Sequence, residues 1–482
     1  MFETDGNSLD PKDWDDFRHQ AHKMLDDMLD YSQNLRNQHV WQAMPPAVQN
    51  HLRALLPEHD LAQAHDFFMK YVLPYAVGNA HPRFMGWVHG GGTPIGMVAE
   101  MLAAGLNANV GGRNQAPVEI ERQLTRWVIE LFHFPETASG LFVTGTSMAN
   151  LMGCLCARTQ IIGSAVREKG LPSHLTLTAY TSTSAHVCIE QAMDICGLGS
   201  QSLRKISVND AYQMDINLLA QRIAADKQSG KTPFLVVATV GSVDVGAIDN
   251  LNAIADLCQR EEIWFHVDGA FGALAMLVPT LSPYLEGIER ADSIAFDFHK
   301  WGQVPYDAGF ILVRNGQIQE RTFTSPASYL QRQTRGLSGN SPWPCDLGID
   351  LSRSFRALKT WFTLSVYGKE KLANVILHTC TLANYLKSCI ENHADQLELV
   401  APVSLNIVCF RYLFDLKIIN QLNTELILQL QESGYVAPSS IMLENKIAIR
   451  AAIVNHRTTH QDIDCLISFV LAFGKKLSVS VN

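Results

Sequence analysis

The chain has 482 residues, of which 47% are apolar and 18% charged, and its formal net charge is −9. This length and apolar content predict a globular protein of two or three domains with a large core, not a disordered chain. The acidic balance disfavours a nucleic-acid partner, and no run is long and apolar enough to span a bilayer.

Asp10-Pro11 has the form of a helix start, with Asp10 as N-cap and Pro11 at the first helical position. Trp14, Phe17, Ala21, Met24, Leu25 and Met28 then recur at helical spacing, an apolar stripe that needs a partner surface. Residues 1–85 are expected to form a helical segment, broken near Met44-Pro45-Pro46, that packs on the main body or on another subunit. From about residue 86 strands alternate with amphipathic helices. Candidate strands are Leu141–Thr144, Leu175–Tyr180, Phe234–Val240, Ile263–Val267, Ser293–Phe296 and Gly309–Val313. Short apolar runs alternating with stretches such as Ile248–Arg260 predict an α/β fold with a mostly parallel sheet covered by helices on both faces. Residues 326–347, rich in Gly, Ser and Pro, read as a long loop, which inside a domain is functional or disordered. Helices then precede two strands, Leu405–Phe410 and Lys446–Val454, and a closing helix begins near Gln461. The expected division is therefore a helical segment at 1–85, a large α/β domain at 86–350 and a small α+β domain at 351–482.

Two strand ends carry the chemistry. Ser293-Ile-Ala-Phe-Asp-Phe-His-Lys-Trp301 places Lys300 beyond an apolar strand, and Ile263-Trp-Phe-His-Val-Asp-Gly-Ala270 places Asp268 at the end of another. Ligands of doubly wound sheets bind at these carboxyl ends. An amine and a carboxylate there match the needs of pyridoxal phosphate, which bonds to a lysine and requires an acid opposite its pyridine nitrogen. Asp268 inside so apolar a run is costly unless paired. Gly145-Thr-Ser-Met-Ala-Asn150, between a strand and a helix, makes Thr146 and Ser147 candidates for holding a phosphate, or else an ordinary helix cap. His186, after another strand, is placed to stack on a planar ring or to serve as a structural histidine. His89-Gly-Gly-Gly92 resembles a lipase oxyanion loop, but no Gly-x-Ser-x-Gly elbow accompanies it, so it reads as a turn. Ten cysteines in so long a chain do not make a disulfide framework, and those in apolar stretches, such as Cys154 and Cys156, read as small buried hydrophobes. His19 and His22 are too isolated for a metal site. The opening Met-Phe-Glu-Thr-Asp lacks the features of a signal peptide, so a cytoplasmic location is expected.

These segments together resemble the group II pyridoxal-phosphate-dependent decarboxylases, which include the aromatic-L-amino-acid and glutamate decarboxylases, and are most similar to a bacterial branch of them. The resemblance runs from His81-Pro-Arg-Phe84 through Val118–Arg122, Gly145–Asn150, Ala185-His186, His266–Ala270, His299-Lys300-Trp301, Ser328-Tyr-Leu330 and Phe355–Trp361 to Thr459–Asp464. It implies a fold type I homodimer with the active site at the subunit interface and an N-terminal segment wrapping the partner. It further implies that Lys300 bonds the cofactor, Asp268 pairs with the pyridine nitrogen, His186 and Ala270 contact the two ring faces, and Thr146, Ser147 and His299 lie near the phosphate. Tyr329 matches the loop tyrosine that protonates the substrate carbon after carbon dioxide leaves, and Arg450 the arginine that holds the α-carboxylate. The chain departs from animal members at Asp297, Phe298 and Val243. Asp297 adds a negative charge near the phosphate site.

The expected activity is decarboxylation of an L-amino acid to its amine. His81, Phe84 and Trp87 are taken as substrate-binding. The flat apolar wall of Phe84, Met85 and Trp87 favours an aromatic substrate, while Arg113 keeps an acidic one open. Rival readings are an aldehyde-forming oxidative deaminase, against which Tyr329 argues, and a non-catalytic paralogue that binds cofactor.

Overall fold

The computed structural model describes residues 8–325, 332–415 and 417–481. In chain order its strands are β1 (Phe84–Met85), β2 (Ser139–Val143), β3 (Leu177–Ser182), β4 (Leu203–Ile206), β5 (Thr232–Thr239) and β6 (Trp264–Asp268). They continue with β7 (Ser293–Asp297), β8 (Gly309–Val313), β9 (Leu397–Leu399), β10 (Ile407–Tyr412), β11 (Ala437–Leu443) and β12 (Lys446–Ala452). Among the described residues these make a seven-stranded sheet, ordered β2-β8-β7-β6-β5-β3-β4, and a five-stranded one, ordered β1-β11-β12-β10-β9.

In the large sheet, neighbours from β7 through β6, β5 and β3 to β4 run parallel, and β8 runs antiparallel to both β2 and β7. The parallel strands are buried on both faces, which is why they read as continuous apolar runs and not as alternating ones. The fold is thus α/β, of fold type I. Register places Thr239 beside Asp268 and Asp268 beside Ala295. Asp268 therefore ends β6, and Lys300 follows β7 by three residues.

Several elements differ from the sequence expectation. The first helix is Trp14–Gln33, and its N-cap is Asp13, not Asp10: Asp13 Oδ1 accepts the N–H groups of Asp15 and Asp16 at 2.9 and 3.0 Å. Asp15 and Asp16 then fill the first turn, where negative charge is favoured. Phe84–Met85 is not an end of the helical segment but a strand pairing parallel with β11. β4 carries Arg204 and Lys205 at the sheet edge, and this charge hid it as a strand while blunting the edge. β9 and β11 are likewise additional to the expected strands. The helix Arg356–Glu391, bent at Gly368 (φ 75°), packs on the helices Pro94–Leu106 and Ala116–Leu131 and also on β9 and β10. The helix Trp14–Gln33 buries none of its residues, and Trp14 and Phe17 stand 55% and 38% exposed. No helix among the described residues is long and apolar enough to cross a membrane.

Candidate active site

A cavity of about 380 Å³ opens at the carboxyl ends of β5, β6 and β7, and separate segments of the chain feed its wall. β6 delivers Asp268 and then Ala270. β7 delivers Asp297, and the turn after it His299 and Lys300. The segment after β2 supplies Thr146 and Ser147, that after β3 supplies His186 and Cys188, and β5 supplies Thr239 as its last residue with Val243 shortly after it. Trp87, His89 and Tyr306 form its aromatic side. Close backbone packing builds one end of the wall: a Cβ on Gly309 would lie 2.4 Å from Gly145 Cα, so β8 can reach the start of the helix Thr146–Ile162 only because residue 309 is glycine.

Asp268 is buried. Its Oδ1 accepts the Ala270 N–H at 3.1 Å and its Oδ2 the Asn150 amide N–H at 2.9 Å. Burial pushes its carboxyl above the usual carboxylate range, against the opposing pull of Lys300 and of these donors. Lys300 Nζ lies 2.9 Å from Asp297 Oδ2. Burial acts to lower the Lys300 pKa, but the charges of Asp297 and then Asp268 outweigh it and hold the amine above its ordinary value. His299 Nδ1 accepts the Ala308 N–H at 3.0 Å, leaving Nε2 turned to Asp297 at 3.6 Å, and burial holds this imidazole below its usual pKa. His186 is exposed at the rim, with Nδ1 accepting the Cys188 N–H at 3.2 Å.

The remaining expected residues lie elsewhere. Tyr329 falls outside the described residues. His81 does not line the cavity: its Nδ1 accepts the Arg83 N–H at 3.0 Å and its carbonyl accepts from Asn455, so it braces the chain entering β1. Phe84 lines a neighbouring apolar cavity of about 240 Å³ that shares Trp87 with the first. Arg450, on β12, also does not line the first cavity. It donates from Nε to the Asp244 carbonyl at 3.2 Å and from Nη1 to the Trp87 carbonyl and to Ser439 Oγ, both at 3.3 Å, while its buried Nη2 has no partner. Arg113 stacks on Trp343, 4.5 Å from guanidinium to ring centroid, and is not part of the cavity wall. Sequence reasoning assigned no role to Asn150, Thr239, Cys188 or Tyr306. Of these, only Asn150 carried a signal, as the last residue of the Gly145–Asn150 motif.

The wall suits pyridoxal phosphate. The buried hydroxyls Thr146 Oγ1 and Thr239 Oγ1 have no partner. The N-terminus of a 17-residue helix opens beside Thr146, as an anion site requires. An amine and a buried carboxylate without a full cationic partner complete the set.

The chain belongs to the pyridoxal-dependent decarboxylase family: residues 52–413 match the pyridoxal-dependent decarboxylase conserved domain, so its cofactor is pyridoxal phosphate and its reaction class that of a carboxy-lyase. An aromatic-L-amino-acid decarboxylase of Bacillus atrophaeus is 31% identical over 477 residues, covering 97% of each chain. A phenylacetaldehyde synthase of Arabidopsis thaliana is 27% identical over 468 residues, covering 93% of this chain and 94% of the relative. In fold, the structure of Oryza sativa TDC with PLP and tryptamine is similar, with a TM-score of 0.89 at 23% identity over 98% of this chain and all of that one.

Proposed function

We propose that the protein is a cytoplasmic homodimer that converts an aromatic L-amino acid to its amine and carbon dioxide. The observation that carries the substrate class is the aromatic wall: Trp87 lines both cavities, and the His89 ring stacks on Phe84 and Trp87 at 5.8 and 5.7 Å between centroids. Such a wall offers a flat substrate ring offset and edge contacts. The likeness to the Bacillus enzyme supports the same choice.

Bound pyridoxal phosphate supplies an electron-withdrawing ring next to the substrate α-carbon. Lys300 would bond it covalently. Thr146, Ser147 and His299 would hold its phosphate, together with the N-terminus of the helix Thr146–Ile162. Asp268 would serve as the acceptor that favours a protonated ring nitrogen. His186 and Ala270 would contact the ring. Arg450 lies outside the cavity wall with its Nη2 buried and unpaired, so it would bind the substrate carboxylate only if that nitrogen were uncovered, and Tyr329 would supply the proton to the α-carbon.

A second reading, aldehyde formation by oxidative deamination, is favoured by the likeness to the Arabidopsis relative. One experiment separates the two. Carbon dioxide, amine and aldehyde are measured with each proteinogenic amino acid and with dihydroxyphenylalanine. The expected result is amine with stoichiometric carbon dioxide from an aromatic substrate alone. Turnover of an acidic substrate overturns the substrate class, and aldehyde as the main product overturns the reaction.

A further inference from the structure

Behind Asp268 runs a chain of hydrogen bonds that the reaction itself does not use. Asn150 donates from Nδ2 to Asp268 Oδ2 at 2.9 Å and to Cys188 Sγ at 3.3 Å. Asn150 Oδ1 meets His266 Nε2 at 2.8 Å, and His266 Nδ1 meets Ser293 Oγ at 2.7 Å. Trp264 Nε1 donates to the same Ser293 Oγ at 2.8 Å. His266, Ser293 and Asn150 are 1%, 0% and 2% exposed, so no water competes for these groups.

The fold assembles this chain from simple periodicities. Trp264, His266 and Asp268 alternate along β6 and therefore share one face. Ser293 is the direct neighbour of His266 on β7. Asn150 comes from the helix Thr146–Ile162, which has glycine one turn further on. A Cβ at Gly153 would stand 2.7 Å from His266 Cε1 and Nδ1, so the helix leaves the imidazole its space.

The carboxylate end imposes one direction, and the indole end is compatible with it. An indole N–H only donates, and an ionised carboxylate only accepts. Ser293 Oγ accepts from Trp264 and turns its own hydrogen to His266 Nδ1. The His266 hydrogen then sits on Nε2 and goes to Asn150 Oδ1. The Asn150 amide is thereby fixed with nitrogen toward Asp268. The flipped amide would set its oxygen against the carboxylate. Burial keeps the imidazole neutral, with its pKa lowered to about 3.

We propose that His266 is a positioning residue for the cofactor: through Asn150 it holds Asp268 as a fixed hydrogen-bond acceptor facing the cavity, and Ser293, itself held by Trp264, supports the far side of the imidazole. This rests on Asp268 being the partner of the ring nitrogen. Breaking the relay at His266 removes the bond to Asn150 Oδ1 and frees the amide to turn away from Asp268, so the charge-assisted bond between them is no longer held in place. The charged groups acting on Asp268 from the other elements are Lys300 and His186, and these are left in place.

The test uses holoenzyme carrying His266→Phe, Ser293→Ala, Trp264→Phe or Asp268→Asn. Three quantities are read: the pyridoxal phosphate dissociation constant, the pH midpoint of the bound-cofactor absorbance, and the melting temperature of the cofactor-free protein. His266→Phe is expected to weaken cofactor binding by about tenfold or more, the scale of one hydrogen bond to a charged group, and to move the midpoint. Ser293→Ala and Trp264→Phe shift both in the same direction by less. If His266→Phe does not fold, these two, which keep the ring, decide the matter. A lower melting temperature with unchanged cofactor affinity and midpoint makes the relay merely structural and overturns the proposal. Unchanged relay variants beside a damaged Asp268→Asn sink the relay alone. An undamaged Asp268→Asn sinks the assignment of Asp268 itself.

Discussion

Asp297 joins Lys300 to the N-terminus of the helix Thr146–Ile162: its Oδ2 lies 2.9 Å from Lys300 Nζ while its Oδ1 accepts the Thr146 N–H at 2.8 Å. The carboxylate sits at a helix N-terminus, where negative charge is stabilised. This accounts for an acidic residue that looks out of place beside a phosphate site in the sequence. It is neither free nor turned away but paired on both oxygens.

Asp297→Asn is therefore expected to lower the Lys300 pKa, because burial then meets less opposition. A folded-state pKa raised above the unfolded value stabilises fully below that value and ceases to do so as pH rises through the folded one. For Lys300 the unfolded value is near 10.5. Melting temperatures of cofactor-free wild type and variant should differ by a constant amount at neutral pH, with the gap closing on the alkaline side above 10.5. A gap that persists unchanged as the Lys300 amine loses its proton contradicts the pairing.

Borohydride reduction of the holoenzyme followed by peptide mapping should place the cofactor on Lys300. An adduct on any other lysine overturns the site assignment.

Tyr329→Phe should retain the cofactor and lose amine production by about 10²–10⁴, the usual worth of a general acid. Part of the product should shift to aldehyde, ammonia and peroxide when oxygen is present. Amine and aldehyde yields with and without oxygen are the measurement. Amine at the wild-type rate would transfer the proton-donor role to His186 or a water.

Deleting residues 1–40 removes a helix that buries none of its residues in the single chain and leaves Trp14 and Phe17 exposed. In the proposed dimer this helix meets the partner, so the truncated protein should aggregate or lose activity. Light scattering that finds a soluble, active monomer contradicts the dimer.

Arg353 grips Glu121 with two nitrogens, at 2.6 and 3.0 Å, and also donates to the Phe142 and Val110 carbonyls at 2.7 and 3.1 Å, all out of solvent. Arg353→Met leaves Glu121 buried and uncompensated, a loss of about 3–5 kcal/mol in denaturant unfolding. Adding Glu121→Gln should recover part of it. A single variant as stable as wild type would show the pair to be dispensable.

By itself the sequence determined the α/β class, the placing of Asp268 and Lys300 at strand ends, and the cofactor. Strands buried on both faces must be apolar throughout, so a charge at their ends stands out. It was silent on β4, β9 and β11, which are short, edge-placed or polar, and it set the first helix three residues early because Asp10-Pro11 mimics a cap. Only the tertiary structure decided that Asp297 is paired, that His81 braces backbone away from the cavity, and that Arg450 holds the Trp87 carbonyl with one nitrogen to spare. The same holds for the relay behind Asp268. Its members come from a helix and two strands, and each taken singly reads as an ordinary core residue. What gives them direction is contact between elements far apart in the chain, and local periodicity carries no record of that.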